Sequence, residues 1–335
     1  MLRSETVREN ELPPVTVPRD LELIDLVHRG TETEIWQTRQ RQTGELICWK
    51  GLRGPGGEHP AALQRLHHER RVLADVNSCH VVSLAAGSRG DDPPGLRLRW
   101  LPGESLQSRL ARTPLLPLET TVWIARQVAQ GMEALLATGW LHGAIAPRHV
   151  RLSPTGEVTL VDLSAAFPDE LQATLPEPTA GGMEPLSARG TGRRGHRREA
   201  DLQDLGRLLW RLLAGTTVPE CDQELVTLTS ELRRRVPELP RDLVALTTRL
   251  LTAENWPRGV GLRDVIRPLV GCELRCLLAE SAETVRGRPP GSPSAASPGG
   301  EGAVKSVLRW TFGESPATTG TQGRLSFAAC QRVFD

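Results

Sequence analysis

One short segment, residues 141–166, carries side chains suited to acid–base or metal chemistry and reads LHGAIAPRHVRLSPTGEVTLVDLSAA. It holds two imidazoles, His142 and His149, and two carboxylates, of which Asp162 comes directly after the apolar run VTLV. Imidazoles and carboxylates transfer protons and bind metal ions. None of these residues alone indicates a function. A lone His is usually a polar loop residue, and Asp162 is suited equally to capping a turn and to binding a metal ion. Their order along the segment is the informative feature.

That order resembles the catalytic loop and metal-binding turn of serine/threonine protein kinases, H-R-D-x-K-P-x-N followed by a hairpin and D-F-G. His142, Pro147 and Asp162 keep the His, the Pro and the metal-binding Asp. The other positions are changed: Gly143 replaces the Arg, Ala144 the catalytic Asp, Ala146 the Lys, His149 the Asn, and Leu163 and Ser164 the Phe and Gly. The resemblance implies a kinase-like domain that lacks its catalytic Asp.

Further landmarks of the small lobe follow at family spacing. The resemblance implies that Lys50 in ICWK contacts phosphate and that Glu69 in HERRVL is its ion-pair partner. Trp100 and Leu101 fall at the hinge, just before GESL, and are assigned to nucleotide binding together with Lys50, Glu69, Asp162 and Gly30.

Three landmarks belong to the large lobe. Asp201 in ADLQDLG resembles the buried Asp that anchors the catalytic loop. Leu186 in MEPLSARG stands where the family has a Glu, and Arg258 in ENWPRG resembles the Arg that pairs with that missing Glu. The resemblance covers roughly residues 20–270 and is nearest to bacterial kinases of the eukaryotic type.

The changed positions affect phosphoryl transfer directly. This reaction needs held phosphates, a metal ion and a carboxylate that orients the attacking hydroxyl. Ala144 has no carboxylate, Ala146 removes a cation, and His149 offers an imidazole where Mg²⁺ prefers oxygen. Loss of a general base alone costs about 10²–10⁴-fold in rate. We therefore expect no catalytic residue in this loop.

The nucleotide site is less clearly degraded. The phosphate-covering turn, G-x-G-x-x-G-x-V in the family, reads HRGTETEI from His28 to Ile35, so only Gly30 remains. Glu32 and Glu34 place negative charge near the expected phosphates. Lys50 and Asp162 remain, so we expect ATP with Mg²⁺ on Asp162 to bind weakly at best.

Structural alternatives stand beside these roles. Lys50 and Glu69 form an equally good ion pair that holds helix to sheet without any nucleotide. His142 is interpreted as a packed residue supported by Asp201. The basic run GRRGHRR, 192–198, is typical of a solvated loop, with docking of an acidic partner or phosphate as the functional alternative.

Composition limits the function classes. Lys+Arg (41) and Asp+Glu (40) almost cancel, so the net charge gives the chain no general electrostatic attraction to nucleic acid or to an anionic membrane. The charged N-terminus is no secretory signal, and no apolar run is long enough to cross a bilayer. The six scattered cysteines predict reduced thiols, and hence a cytoplasmic protein.

The spacing of apolar residues predicts an α+β fold with two lobes. Strand patterns between Leu21 and Leu52, and in VVSLAAG and GLRLRWL, predict five strands with one inserted helix. Later stretches predict helices, the last two at 241–255 and 260–270.

The chain divides into four parts: a flexible lead (1–18), a kinase-like domain (19–285, lobes 19–101 and 102–285), a Pro/Gly/Ser linker (286–302) and a tail (303–335). The aromatic residues of the tail favour its docking on the domain or on a partner.

The sequence thus favours a catalytically impaired module that acts by protein interaction or regulation, with an active kinase as one partner. Two alternatives stay open: a weakly active atypical serine/threonine kinase that uses Lys50 and Asp162, and an ATP-binding sensor without phosphotransfer.

Overall fold

Four antiparallel strands, in the order β1–β2–β3–β4, form the small lobe. They are β1 (Leu21–Arg29), β2 (Thr33–Gln40), β3 (Leu46–Leu52) and β4 (Gly95–Arg99). The computed structural model describes residues 15–53, 60–87, 93–169, 197–219, 224–252 and 261–286. Because successive side chains of a strand alternate, Cys48 and Lys50 share one face of β3, and Ile47 and Trp49 share the other.

One helix, α1 (Pro60–Asp75), packs against β4 and against the 3₁₀ turn Leu163–Ala165 of the large lobe. Its buried residues recur at helical spacing and are Ala62, Leu66, Glu69, Val72 and Leu73. Four are apolar, whereas Glu69 is a fully buried carboxylate. A carboxylate is rarely buried without a partner, so α1 needs a cation inside the lobe.

The outer face of the sheet is covered by the segment that precedes β1. Val15 is buried against Ile47 and Trp49, and Val17 packs on the same cluster. A Cβ at Gly51 would lie 2.5 Å from Val15 Cγ1, so the glycine makes room for this packing. The predicted flexible lead therefore extends too far, because residues 15–18 belong to the small lobe.

The predicted fifth strand, VVSLAAG at 81–87, is wrong. Val81 forms an isolated parallel bridge with Leu160, and Leu84 forms an isolated antiparallel bridge with Leu98. The segment divides its backbone hydrogen bonds between the large-lobe hairpin and β4, and it therefore builds no continuous ladder. The sheet consequently has four strands.

The large lobe begins with β5 (Glu104–Ser105), α2 (Leu106–Arg112) and α3 (Leu118–Ala137). The hairpin of β7 (Val150–Leu152) and β8 (Val158–Leu160) pairs with β5. A second small pair joins β6 (Trp140–Leu141) to β9 (Phe167–Pro168). Between β6 and β9 the chain passes through the whole predicted catalytic segment.

Four more helices complete the described lobe: α4 (Arg197–Ala214), α5 (Leu225–Arg235), α6 (Arg241–Leu251) and α7 (Arg263–Arg286). Trp210 of α4 lies in a buried cluster with residues of α5 and α6. A Cβ at Gly206 would lie 2.9 Å from Leu250 Cβ, which shows how closely α4 and α6 approach. The sequence did not predict α2 or α5, and it predicted α7 much shorter than it is.

The predicted α+β class, with a β-rich small lobe and a helical large lobe, is confirmed. No helix in the described ranges is both long and apolar enough to cross a membrane. Leu186, Arg258, the linker beyond Arg286, the tail at 303–335 and most of the basic run at 192–198 lie outside the described residues.

Candidate functional site

The centre of the candidate site is Lys50, which bridges two carboxylates from different parts of the chain. Its Nζ lies 2.7 Å from Glu69 Oε2 and 2.8 Å from Asp162 Oδ1. The side chain of Lys50 is 7% exposed and that of Glu69 is fully buried. Glu69 Oε1 also accepts a hydrogen bond from the backbone N–H of Leu163. One ammonium thus joins β3, α1 and the turn after β8.

Electrostatics keep this group charged. Burial alone would lower the pKa of Lys50, but the carboxylates of Glu69 and then Asp162 raise it above its ordinary value. Burial alone would raise the pKa of Asp162, whereas the Lys50 ammonium and its hydrogen bond bring it well below the usual range. Within the cluster, the Lys50 ammonium donates a hydrogen bond to one oxygen of each of the two carboxylates.

Asp201 of α4 anchors the predicted catalytic loop from below. Its two carboxylate oxygens accept hydrogen bonds from the backbone N–H groups of His142 and Gly143, each 2.8 Å long. Burial raises the pKa of Asp201 to about 7, although both N–H donors lower it. The structure therefore places Asp201 where the resemblance put it.

Gly143, which stands at the family's Arg position, is required by the backbone. Its φ is +76°, a left-handed conformation that L side chains rarely adopt. A Cβ there would lie 2.3 Å from the carbonyl oxygen of Ala165 and 2.8 Å from Phe167 Cε1. An arginine does not fit this backbone, so the change is built into the conformation of the loop.

His142 is completely buried, and burial lowers the pKa of its imidazole to about 4. An unfolded His titrates near 6.5, so below that pH the unfolded chain binds a proton that the folded chain rejects. This part of the stability is therefore complete above pH 6.5 and is lost as the pH falls towards 4.

Between pH 8 and pH 5, we expect the free energy of unfolding of His142→Leu to fall by about 2 kcal/mol less than that of the native chain. The reason is that the variant has no buried imidazole to protonate. Denaturant unfolding of the native chain and the variant at both pH values measures this difference. His67→Leu, which removes an exposed imidazole of α1, is the matched control. Equal pH dependence in the native chain and His142→Leu would contradict the expectation.

His149 faces Asp162 from the catalytic loop. Its Nδ1 lies 2.7 Å from the carbonyl oxygen of Ala144, its Nε2 accepts a hydrogen bond from Arg148 Nε, and Nε2 lies 3.3 Å from Asp162 Oδ2. Burial, as the largest influence, lowers the pKa of this imidazole. The side chain thus occupies the space beside Asp162 and is held by its own loop.

The donor set does not fit Mg²⁺. This ion prefers six oxygen ligands. Glu69 is fully buried and has both oxygens engaged, by Lys50 and by the N–H of Leu163. Asp162 Oδ1 already accepts hydrogen bonds from Lys50 and from Ser164 Oγ. Imidazole from His149 is a poor substitute. Within the described ranges, no group of three or more His, Cys, Asp and Glu side chains could hold a metal ion.

The turn between β1 and β2 differs from the expected repulsive one. Glu34 accepts hydrogen bonds from Arg29 Nε and Trp36 Nε1, and Arg53 Nε lies 3.5 Å away. Ile35 pairs with Lys50 across the sheet, so the neighbouring Glu34 points to the opposite face. Glu34 therefore lies on the face of the sheet opposite Lys50, whereas the sequence had placed its charge near the expected phosphates.

The other polar groups of this turn also have partners. Glu32 forms an ion pair with Arg65 of α1. Arg53 Nη1 donates to the carbonyl oxygen of Gly30, and the N–H of Gly30 donates to Thr33. The single remaining glycine is thus held by Arg53 and by the backbone of Thr33.

The segment that joins the lobes, called the hinge, is contacted by Arg151, a residue that the sequence did not single out. Trp100 and Leu101 lie between β4 and β5, as expected. Arg151 of β7 donates from Nη2 to the carbonyl oxygens of Leu101 and Gly103, both at 2.8 Å. The sequence gives no signal for this contact, because HVRLS alternates regularly between polar and apolar residues and an arginine at such a position is expected to face solvent.

Comparison with known proteins agrees with this geometry. Residues 21–174 match the sequence model of the family Protein tyrosine and serine/threonine kinase. The chain is similar to a protein of Corynebacterium efficiens named "Serine/threonine-protein kinases drp72", with 25% identity over 79% of this chain and 51% of that protein. It is also similar to Serine/threonine-protein kinase PknA of Mycobacterium tuberculosis, with 23% identity over 88% of this chain and 68% of that one.

A third similarity, over a shorter part of the chain, is to human Ribosomal protein S6 kinase alpha-6, with 24% identity over 59% of this chain and 27% of that protein. The chain spans about half the length of the Corynebacterium efficiens relative. The family match over residues 21–174, the relatives and the two-lobed fold together support a protein kinase superfamily domain.

Proposed function

We propose that this chain is a catalytically impaired kinase-like module, a pseudokinase, that acts through contacts with other proteins in the cytoplasm. The observation that carries the proposal is the catalytic loop itself. Ala144 has only a methyl group at the catalytic position, and its carbonyl oxygen is engaged by His149. No carboxylate of the loop is available to orient a substrate hydroxyl or accept its proton.

The metal site supports the same proposal. Transfer of a phosphoryl group depends on a cation that neutralises the developing charge. Asp162 is bonded to Lys50, and His149 lies at its second oxygen. Because the losses act on one transition state they are not simply additive, but each of them lowers the rate.

The proposed partners are proteins, with an active kinase foremost, because the domain keeps the shape of a kinase while lacking its chemistry. The near balance of charge gives no general attraction to nucleic acid or to an anionic membrane, so neither is proposed as a partner.

A second candidate is favoured by the Lys50 cluster. Lys50, Glu69 and Asp162 form the contacts that an active site of this family would need. The named relatives are serine/threonine kinases. A weakly active kinase, or an ATP sensor that transfers no phosphate, would use this cluster.

Phosphotransfer from labelled ATP, with Mg²⁺ or Mn²⁺, distinguishes these candidates. We expect labelling of the chain itself and of Ser/Thr peptides to be no faster than for Asp162→Asn, because a missing general base costs about 10²–10⁴-fold. Asp162→Asn is the reference variant because it leaves the buried Lys50–Glu69 pair in place.

The controls follow from the same chemistry. An active serine/threonine kinase assayed in parallel sets the upper limit. Stoichiometric labelling that disappears in Asp162→Asn would contradict the pseudokinase proposal and favour the weakly active kinase. Saturable ATP binding without labelling would instead favour the sensor.

A further inference from the structure

Arg151 reaches from the large lobe to the segment that joins the lobes. It lies in β7, between Ser105 of β5 and Thr159 of β8 in the small sheet. Its guanidinium extends to the carbonyl oxygens of Leu101 and Gly103, with both hydrogen bonds at 2.8 Å. A charged donor that bonds two backbone carbonyls is held more firmly than one with a single neutral partner.

Strand β3 lies beside the segment that joins the lobes, because it pairs with β4, which leads into that segment. Cys48 and Lys50 share one face of that strand, which is the face towards Glu69 and Asp162. Burial raises the pKa of the Cys48 thiol to about 12, while the nearby cations Lys50 and then Arg151 lower it. Cys48 of the small lobe and Arg151 of the large lobe thus influence each other electrostatically.

Recognition of a flat heteroaromatic ligand at such a place needs two things. The space must be apolar and open to a planar ring, and backbone N–H and C=O groups must be available at its edge. Arg151 places a charged group in that space and bonds the carbonyl oxygens at its edge. Arg has five donors and no acceptor, so it offers no replacement for the oxygens that it covers.

We propose that Arg151 is a built-in occupant of the hinge end of the cleft and that it makes the cleft reject purine nucleosides and nucleotides. This deepens the proposed function, on which it rests, because it adds a cause for weak nucleotide binding that is separate from the catalytic loop. Arg151 is thus the specificity-determining residue of the cleft.

Adenosine is the appropriate probe, since it has no phosphate and needs no metal ion. Calorimetry with the full chain is expected to detect no saturable binding of adenosine to the native protein up to about 1 mM, a weak limit for a small ligand. In Arg151→Met, an unbranched apolar side chain replaces the guanidinium and leaves both carbonyl oxygens accessible. We expect it to bind adenosine at least about tenfold more tightly than the native chain.

Arg234→Met is the matched control, because it removes an arginine whose side chain is 70% exposed on α5. It should bind adenosine as the native chain does. Arg151→Leu provides a second variant, and thermal unfolding of each protein establishes that it is folded before titration. A folded Arg151→Met or Arg151→Leu without gain in affinity would overturn the proposal, as would native adenosine binding equal to that of the variants.

This result is independent of the phosphotransfer test. If the native chain transfers phosphate, the pseudokinase proposal fails, whether or not any variant binds adenosine. If Arg151→Met gains no adenosine binding and the native chain still transfers no phosphate, the Arg151 proposal alone fails.

Discussion

Replacing Lys50 by methionine is expected to lower the free energy of unfolding by about 3–5 kcal/mol, the usual cost of removing one partner of a buried ion pair. Methionine keeps much of the length of the side chain but leaves Glu69 fully buried without its cation. Asp162 loses the same partner, although it is 33% exposed and can be partly solvated. Denaturant unfolding at pH 8 measures the change.

Two further variants show whether the loss arises from the uncompensated charge. Glu69→Gln in the Lys50→Met background should recover part of the stability, because a neutral amide is cheaper to bury than a carboxylate. Arg263→Met removes an arginine whose side chain is 88% exposed and paired with Glu133, and it should cost less than about 1 kcal/mol. If the free energy of unfolding of Lys50→Met lay within about 1 kcal/mol of the native value, this cluster would not be what holds the lobe together.

The second large effect is expected at Asp201. Asp201→Ala removes two 2.8 Å hydrogen bonds that backbone N–H groups donate to the carboxylate, each worth about 1.5–3 kcal/mol. We therefore expect a loss of at least about 3 kcal/mol at pH 8, where the carboxyl group is ionised despite its raised pKa of about 7. Denaturant unfolding again provides the measurement.

Asp201→Asn separates the hydrogen bonds from the packing, since it keeps one acceptor oxygen and nearly the same shape. It should lose about half as much stability as Asp201→Ala. Asp242→Ala, on a side chain that is 70% exposed, is the surface control and should cost less than about 1 kcal/mol. Equal losses in the Ala and Asn variants would show that the loop does not depend on these acceptors in the way that we propose.

Together, the clusters at Lys50 and Asp201 show what the retained kinase residues do in this structure. Lys50 joins β3, α1 and the turn at Asp162, and Asp201 joins α4 to the loop at His142. Both sets of contacts are complete without nucleotide or metal. Residues that look like remnants of catalysis therefore have a structural reason to be present.

The sequence by itself determined the fold class and the order of its landmarks. Hydrophobic periodicity is a local property, so strands β1 to β4 and helices α1, α3, α4 and α6 could be predicted from it. The changed residues of the catalytic loop are likewise visible in the sequence, because the presence or absence of a carboxylate at Ala144 needs no coordinates. The Lys50–Glu69 pair was implied by resemblance, with its partners correctly named.

Only the tertiary structure decided how the remaining charges are used. Arg53, Arg65 and Arg151 are far in sequence from the groups they contact, at Glu34, Glu32 and Leu101. Such pairings arise from the packing of separate elements, and no local pattern encodes them. For the same reason the segment at 81–87 looked like a strand, although its hydrogen bonds are shared between two neighbours. The sequence shows which charged side chains are present and how they are spaced along the chain. Only the packing of distant elements in the fold determines which of them contact each other.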